Sequence, residues 1–158
     1  MSMAYRAHLE TCQRHAARLV WAMAALRSRF PLTASAIKAL SDADLAILDQ
    51  FSTRFAKLQD AMGAKLFSAV LELSKESDNY PAFLDKLNQL EKIGAIKSAT
   101  QWLTLREMRN QFAHDYPDDS EFQAAVLNKA YVLANELLAV LEQIEKFASA
   151  YLSTSSKL

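Results

Sequence analysis

Between positions 102 and 116 the chain reads Trp102-Leu103-Thr104-Leu105-Arg106-Glu107-Met108-Arg109-Asn110-Gln111-Phe112-Ala113-His114-Asp115-Tyr116. Chemistry is available from Arg109, Asn110, His114 and Tyr116. A guanidinium presents a planar fork of donors to an anion. An imidazole titrates close to neutral pH and can take or give a proton. On a helix that advances about 100° per residue, Trp102, Leu105, Phe112 and Ala113 fall within about 60° of Arg109. Arg109 therefore projects from the apolar face, while Arg106 and Glu107 turn toward the polar side as surface charges. Stripping water from an unpartnered arginine is costly, so Arg109 lies at a seam between helices or subunits, or it meets an anion. Asn110 and His114 stand about 40° apart and form one polar edge, and Tyr116 returns to the side of Arg109. Arg109 and His114 themselves point about 140° apart, a gap that two copies packed on this helix would close better than one. Structural roles exist for the same residues: a histidine in a last turn offsets the helix dipole, and a Tyr-Pro corner pins a loop.

The elements that must carry these residues are helical. Only two glycines and three prolines punctuate 158 residues, too few for the turns of a sandwich or barrel or for the glycine-rich loop of a doubly wound fold. A first helix is expected over 5–30 on Leu9, Leu19, Val20, Met23 and Leu26, stopped by Pro31. Ser41 with Asp44 resembles a capping signal, and a second helix is expected to run to about Lys75 on Leu48, Phe51, Phe55, Leu58, Met62, Leu66 and Leu73. Gly63 inside it suggests a close crossing with a neighbour. A third helix, with Pro81 in its first turn, carries Phe83, Leu84, Leu87, Leu90 and Ile93, and Gly94 caps it in left-handed geometry. The fourth, over 98–115, holds the motif. The fifth, over 121–151, runs on Phe122, Val126, Leu133, Leu137, Val140, Leu141, Ile144 and Phe147. The expected fold is all-α, an up-and-down bundle of four to five helices, in one domain over 1–152 with a frayed tail at 153–158.

Composition narrows the function classes. Eighteen Lys and Arg balance eighteen Asp and Glu, so the chain is neither a general nucleic-acid coat nor a membrane-surface binder. Any nucleic-acid contact must come from a local cluster or from a surface that two copies build together. The single cysteine, Cys12, excludes an intrachain disulfide and a thiolate zinc site. The start, Met1 to Arg6, lacks a signal peptide's apolar core. Apolar stretches are broken by charge short of the ~20 residues of a membrane span. A soluble, cytoplasmic protein without a membrane partner is expected.

The run Arg109-Asn110-Gln111-Phe112-Ala113-His114 resembles the mark of the HEPN superfamily, small helical-bundle proteins with an arginine, four to six residues, then a histidine. Its extension through Asp115-Tyr116 to Arg-x4-His-x-Tyr is similar to the HepT toxins of HEPN–MNT toxin–antitoxin pairs, and the segment from Phe51 to Asp60 looks like their long second helix. The resemblance covers roughly 40–150. It implies a HEPN-like fold and a metal-independent endoribonuclease, active as a homodimer, with both motifs lining one cleft. His114 would act as acid or base, Arg109 would bind the scissile phosphate and Asn110 would orient phosphate or imidazole, as the RNA 2′-hydroxyl attacks and leaves a 2′,3′-cyclic phosphate and a 5′-hydroxyl. Arg54 and Asp60 are candidate accessories or bundle ion-pair residues. Tyr116 would accept AMP from a cognate MNT-type nucleotidyltransferase antitoxin, which neutralises the toxin. RNA is the implied substrate. DNA is not expected as a partner, and neither a metal nor a cofactor is expected on this chain. The alternative is a non-catalytic HEPN protein that binds nucleotide or substrate for a partner nucleotidyltransferase.

Overall fold

The computed structural model describes residues 2–76, 78–113 and 119–156, and these residues contain helices and no strand. The elements are α1 (Ser2–Leu26), α2 (Ala34–Lys38), α3 (Asp42–Ala61), a wide π turn (Met62–Leu66), α4 (Phe67–Leu73), α5 (Phe83–Lys92), α6 (Ala99–Gln111) and α7 (Ser120–Ser156). Because α3, the π turn and α4 are continuous, six helices result rather than the four to five expected. The addition is α2, whose five residues are too few to show a period. It is set by a cap instead: Thr33 Oγ1 accepts from the Ala36 N–H at 3.1 Å.

Local signals account for most helix ends. Ser41 Oγ accepts from the Asp44 N–H at 3.1 Å and starts α3, but the Asp44 carboxylate turns away to Arg29 at 3.3 Å instead of closing a capping box. Gly94 follows α5 at φ +87, the left-handed conformation in which the absence of Cβ matters. Pro81 precedes α5 rather than sitting in its first turn, which Ala82 caps. The fourth expected helix stops earlier than its sequence suggests. After Gln111 the Phe112 and Ala113 N–H groups bond back to the carbonyls of Arg109 and Asn110, a tightened final turn. Asp119 then opens α7, its Oδ1 accepting from the Phe122 N–H at 3.1 Å. Helix α7 continues past Tyr151 to Ser156.

The core lies between α1, the α3–α4 rod, α6 and α7. Phe51, Phe55, Leu58, Met62, Leu66 and Phe67 meet Leu19 and Leu26 of α1, Trp102, Leu105 and Met108 of α6, and Leu133, Leu137 and Ile144 of α7, all buried. Burial at this scale is the main stabilising contribution, about 1.5–3 kcal/mol for each large apolar side chain. Val20, Leu84 and Phe122, placed on buried stripes by spacing, are instead about half exposed. A polar clamp fixes the α1–α2 connection on α7: Asn128 accepts from the Leu32 N–H at 2.7 Å and donates to the Leu32 carbonyl at 2.9 Å. Residues 120–152 of α7 are long and apolar enough to cross a membrane by length and composition, contrary to the expectation that every apolar stretch falls short. In the fold, the stripe from Ala130 through Leu137 and Ile144 to Ala148 packs into the bundle.

The π turn is where sequence and structure part most instructively. The apolar stripe passes through it unbroken, yet the Phe67 N–H donates to the Met62 carbonyl, five residues back. Gly63 lies in this turn. A Cβ there would sit 3.2 Å from Trp102 Cζ2 and 3.7 Å from Phe83 Cζ. The glycine therefore lets the Trp102 indole come close to the rod, which is the close crossing its position suggested.

Candidate functional site

Helix α6 is tied down at its start, where Ser98 Oγ accepts from the Gln101 N–H at 3.1 Å and the Ala99 N–H donates to Glu91 Oε1 at 3.0 Å. From that anchor the buried stripe Trp102–Leu105–Met108 fixes the rotation of the helix. Arg109 comes next, where the stripe reaches the edge of the core. Its Nε donates to Asp60 Oδ1 at 2.8 Å and its Nη2 to Asp60 Oδ2 at 2.9 Å. This two-bond fork joins α6 to the last turn of α3. Of the two places allowed for Arg109, the fold selects the seam between helices and supplies a carboxylate there. The Asp60 hydrogen bond raises the Arg109 pKa above its usual value, with desolvation opposing the shift, so the guanidinium is held as a cation.

Asp60 is thus the direct partner of Arg109. Asn110 is exposed on α6. His114 and Tyr116 lie outside the described residues, as do Asp115, Pro117 and Asp118. Arg54, the other candidate accessory, does not join this group. It lies on α3 nearly two turns before Asp60, and its Nη1 meets Nδ1 of His15 on α1 at 3.0 Å. Its partner is a histidine rather than an acid.

Beside the Arg109–Asp60 fork lies an open groove of about 300 Å³, lined by Gln59, Asp60, Gly63, Ala64, Phe83 and Arg106. The Arg106 guanidinium carbon stands 5.7 Å from the centroid of the Phe83 ring, a cation–π arrangement. Arg106 is therefore more than the ordinary surface charge its wheel position indicates. Gln59 is nearly buried, and the Nε1 of Trp102 is buried without a hydrogen-bond partner. Phe67 packs on the indole at 4.5 Å between centroids. Sequence reasoning passed over Phe83, Arg106 and Ala64 as parts of a site. The one available signal was Gly63, a glycine in the middle of a strong helical pattern.

The arrangement places an acid, one guanidinium group, a primary amide and an aromatic ring around one concavity, and the Arg109 guanidinium is bound to that acid. Such a surface suits an anion bearing a flat polar group. Among the described residues no group of three His, Cys, Asp or Glu side chains is placed to hold a metal ion. Cys12 is buried, and burial pushes its thiol up to about 12, which keeps it from acting as a nucleophile near neutral pH. Comparison with models of known families, with curated proteins and with solved structures gives no match for this chain.

Proposed function

We propose that this chain is a HEPN-like helical-bundle protein, and within that class a HepT-like ribonuclease toxin. The observation that carries the proposal is the forked Asp60–Arg109 pair at the end of the motif helix. Its two side chains are 31% and 50% exposed, and ion pairs that open to solvent contribute only about 0–1 kcal/mol to stability. A pair with so little structural work to do is better understood as a device that fixes the direction of a phosphate-binding guanidinium.

In this reading Arg109 holds the scissile phosphate and stabilises the charge that builds on it. His114, as an imidazole, moves the protons at the 2′-oxygen and the leaving 5′-oxygen, and Asn110 orients the phosphate. The active form is a homodimer. Leu103, an exposed leucine, is seven positions from Asn110 and on the same side of α6, so a second copy laid on that side meets both. The partner nucleotidyltransferase transfers AMP from ATP to Tyr116. The adenylyl group then sets bulk and negative charge beside Arg109 and competes for it. RNA is the substrate and the cytoplasm is the place of action.

One observation favours the second reading, a non-catalytic partner that binds nucleotide or substrate for the nucleotidyltransferase. Asp60 neutralises Arg109 in the isolated chain, and the whole protein carries no net charge, which weakens nonspecific RNA binding. Expression in a bacterial host separates the two. Growth arrest that is relieved by Arg109→Ala and by His114→Ala is the expected result. Folded variants that arrest growth as strongly as the wild type would contradict the ribonuclease roles of these residues.

A further inference from the structure

A second cluster of cations lies along α3, N-terminal to the Arg109 fork. Arg54 and Lys57 stand three apart on α3, and Arg14 and His15 are adjacent on α1, which packs along α3. The contact that joins the two helices here is the 3.0 Å approach of Arg54 Nη1 to His15 Nδ1. Since Arg54 can only donate, His15 Nδ1 accepts, and the proton of the neutral ring sits on Nε2. Desolvation and then the charges of Arg54, Lys57 and Arg14 push the His15 pKa down, which agrees with that neutral form. The charges acting on His15 are all positive.

No acid balances this group. Among the described residues the ion pairs join Arg29 to Asp44, Arg109 to Asp60 and Lys146 to Glu142, and none reaches Arg14, Arg54 or Lys57. The carboxylate three positions beyond Lys57 belongs to Asp60, whose two oxygens both accept from Arg109. Arg54 is half-buried, and its Nε is buried with no hydrogen-bond partner. A guanidinium in that state costs stability, because its lost hydration is not replaced, and neighbouring cations add repulsion. Among the described residues the hydrogen bond that this guanidinium makes runs to His15, which carries no negative charge. Three cationic side chains that can only donate, and a histidine whose Nδ1 is taken by Arg54 and whose Nε2–H is left to donate, form the complement of a phosphate oxygen cluster.

We propose that Arg14, His15, Arg54 and Lys57 form a phosphate-binding site that takes a phosphodiester of a nucleic-acid strand. The site does not depend on Arg109 or His114 cleaving anything. Lys57 links it to the fork: along α3, Arg54, Lys57 and Asp60 follow one another at steps of about 4.5 Å in rise and about 60° in rotation. A strand gripped at Arg54 therefore has a continuous polar path toward Arg109. The site also gives a chain of zero net charge a local way to hold RNA, since salt-dependent affinity follows the number of phosphates neutralised rather than the total charge.

Thermal unfolding of the full chain tests this with three probes at matched ionic strength: inorganic phosphate, 5′-AMP, and a 2′-O-methyl oligouridylate that 2′-hydroxyl attack cannot cleave. The oligonucleotide is expected to raise the wild-type Tm by about 3 °C or more over chloride at about ten times its dissociation constant. Phosphate should act in the same direction at higher concentration. Lys57→Gln, an exposed substitution, should lose most of both shifts and melt no lower than wild type in chloride. Arg54→Gln should do the same, whereas Lys65→Gln, on the exposed side of the π turn, should keep them. Equal shifts in wild type and Lys57→Gln, or no shift beyond chloride, would overturn the site. A shift with 5′-AMP but not with the oligonucleotide would overturn the phosphodiester assignment and leave a site for a terminal phosphate.

Discussion

Arg109→Ala is expected to slow RNA cleavage by about 10²–10³-fold, the cost of removing one preorganised donor from a developing oxyanion. The same change should lower the unfolding free energy by no more than about 1 kcal/mol, because the pair it breaks is open to solvent. The contrast between those effects makes the prediction useful. A residue kept for the fold would show the reverse, a large loss of stability and a loss of activity that merely follows unfolding. Asp60→Asn gives an internal check. It removes the charge that fixes Arg109 but leaves the guanidinium in place, so its effect on cleavage should be smaller than that of Arg109→Ala. Cleavage rates measured beside urea unfolding curves for both variants would decide the matter.

Trp102→Ala is expected to have the largest effect on stability, about 3–5 kcal/mol. The indole is fully buried, packs on Phe67 at 4.5 Å and lies under Gly63. Removing it takes away the side chain that packs against Gly63, one of the residues that line the groove beside Asp60. Trp102→Phe should cost less, since it leaves part of the volume and removes an indole N–H that has no partner. Chemical denaturation provides the test. A loss below about 1 kcal/mol for the alanine variant, far under the usual cost of an aromatic truncation in a core, would show that the packing of Trp102 between α6 and the rod does not hold the bundle together.

The sequence made much of this fold legible where one local signal decides one local outcome. The recurrence of apolar positions at steps of roughly 3.5 residues from Leu48 to Leu73 marked the long rod, Ser41 marked its start and Gly94 marked the end of α5. The buried side of α6 followed in part from Trp102 and Leu105, while Ala113, placed on the same face by the helical wheel, is exposed. What could not be read depends on partners distant in the chain. The π turn at Met62–Leu66 leaves the apolar stripe intact, so periodicity cannot show it, nor that Trp102 packs against it from α6. Arg109 and Asp60 each stood out in the sequence, but their pairing needs α6 to cross the end of α3. His15 carried no signal on α1, and its contact with Arg54 exists only because α1 lies along α3. Val20, Leu84 and Phe122 show the opposite failure, apolar residues at helical spacing that the bundle leaves half exposed.

The central claim is that the chain cleaves RNA without a metal, using His114 together with Arg109. Its most direct test is incubation of the purified protein with total RNA and transfer RNA in EDTA, wild type beside His114→Ala, followed by analysis of the new ends. EDTA-resistant cuts that leave 2′,3′-cyclic phosphates and 5′-hydroxyls, absent from a folded His114→Ala variant, are the expected result. Cleavage that persists in the variant, or a folded dimer that cuts neither RNA, would contradict the claim and favour the non-catalytic partner.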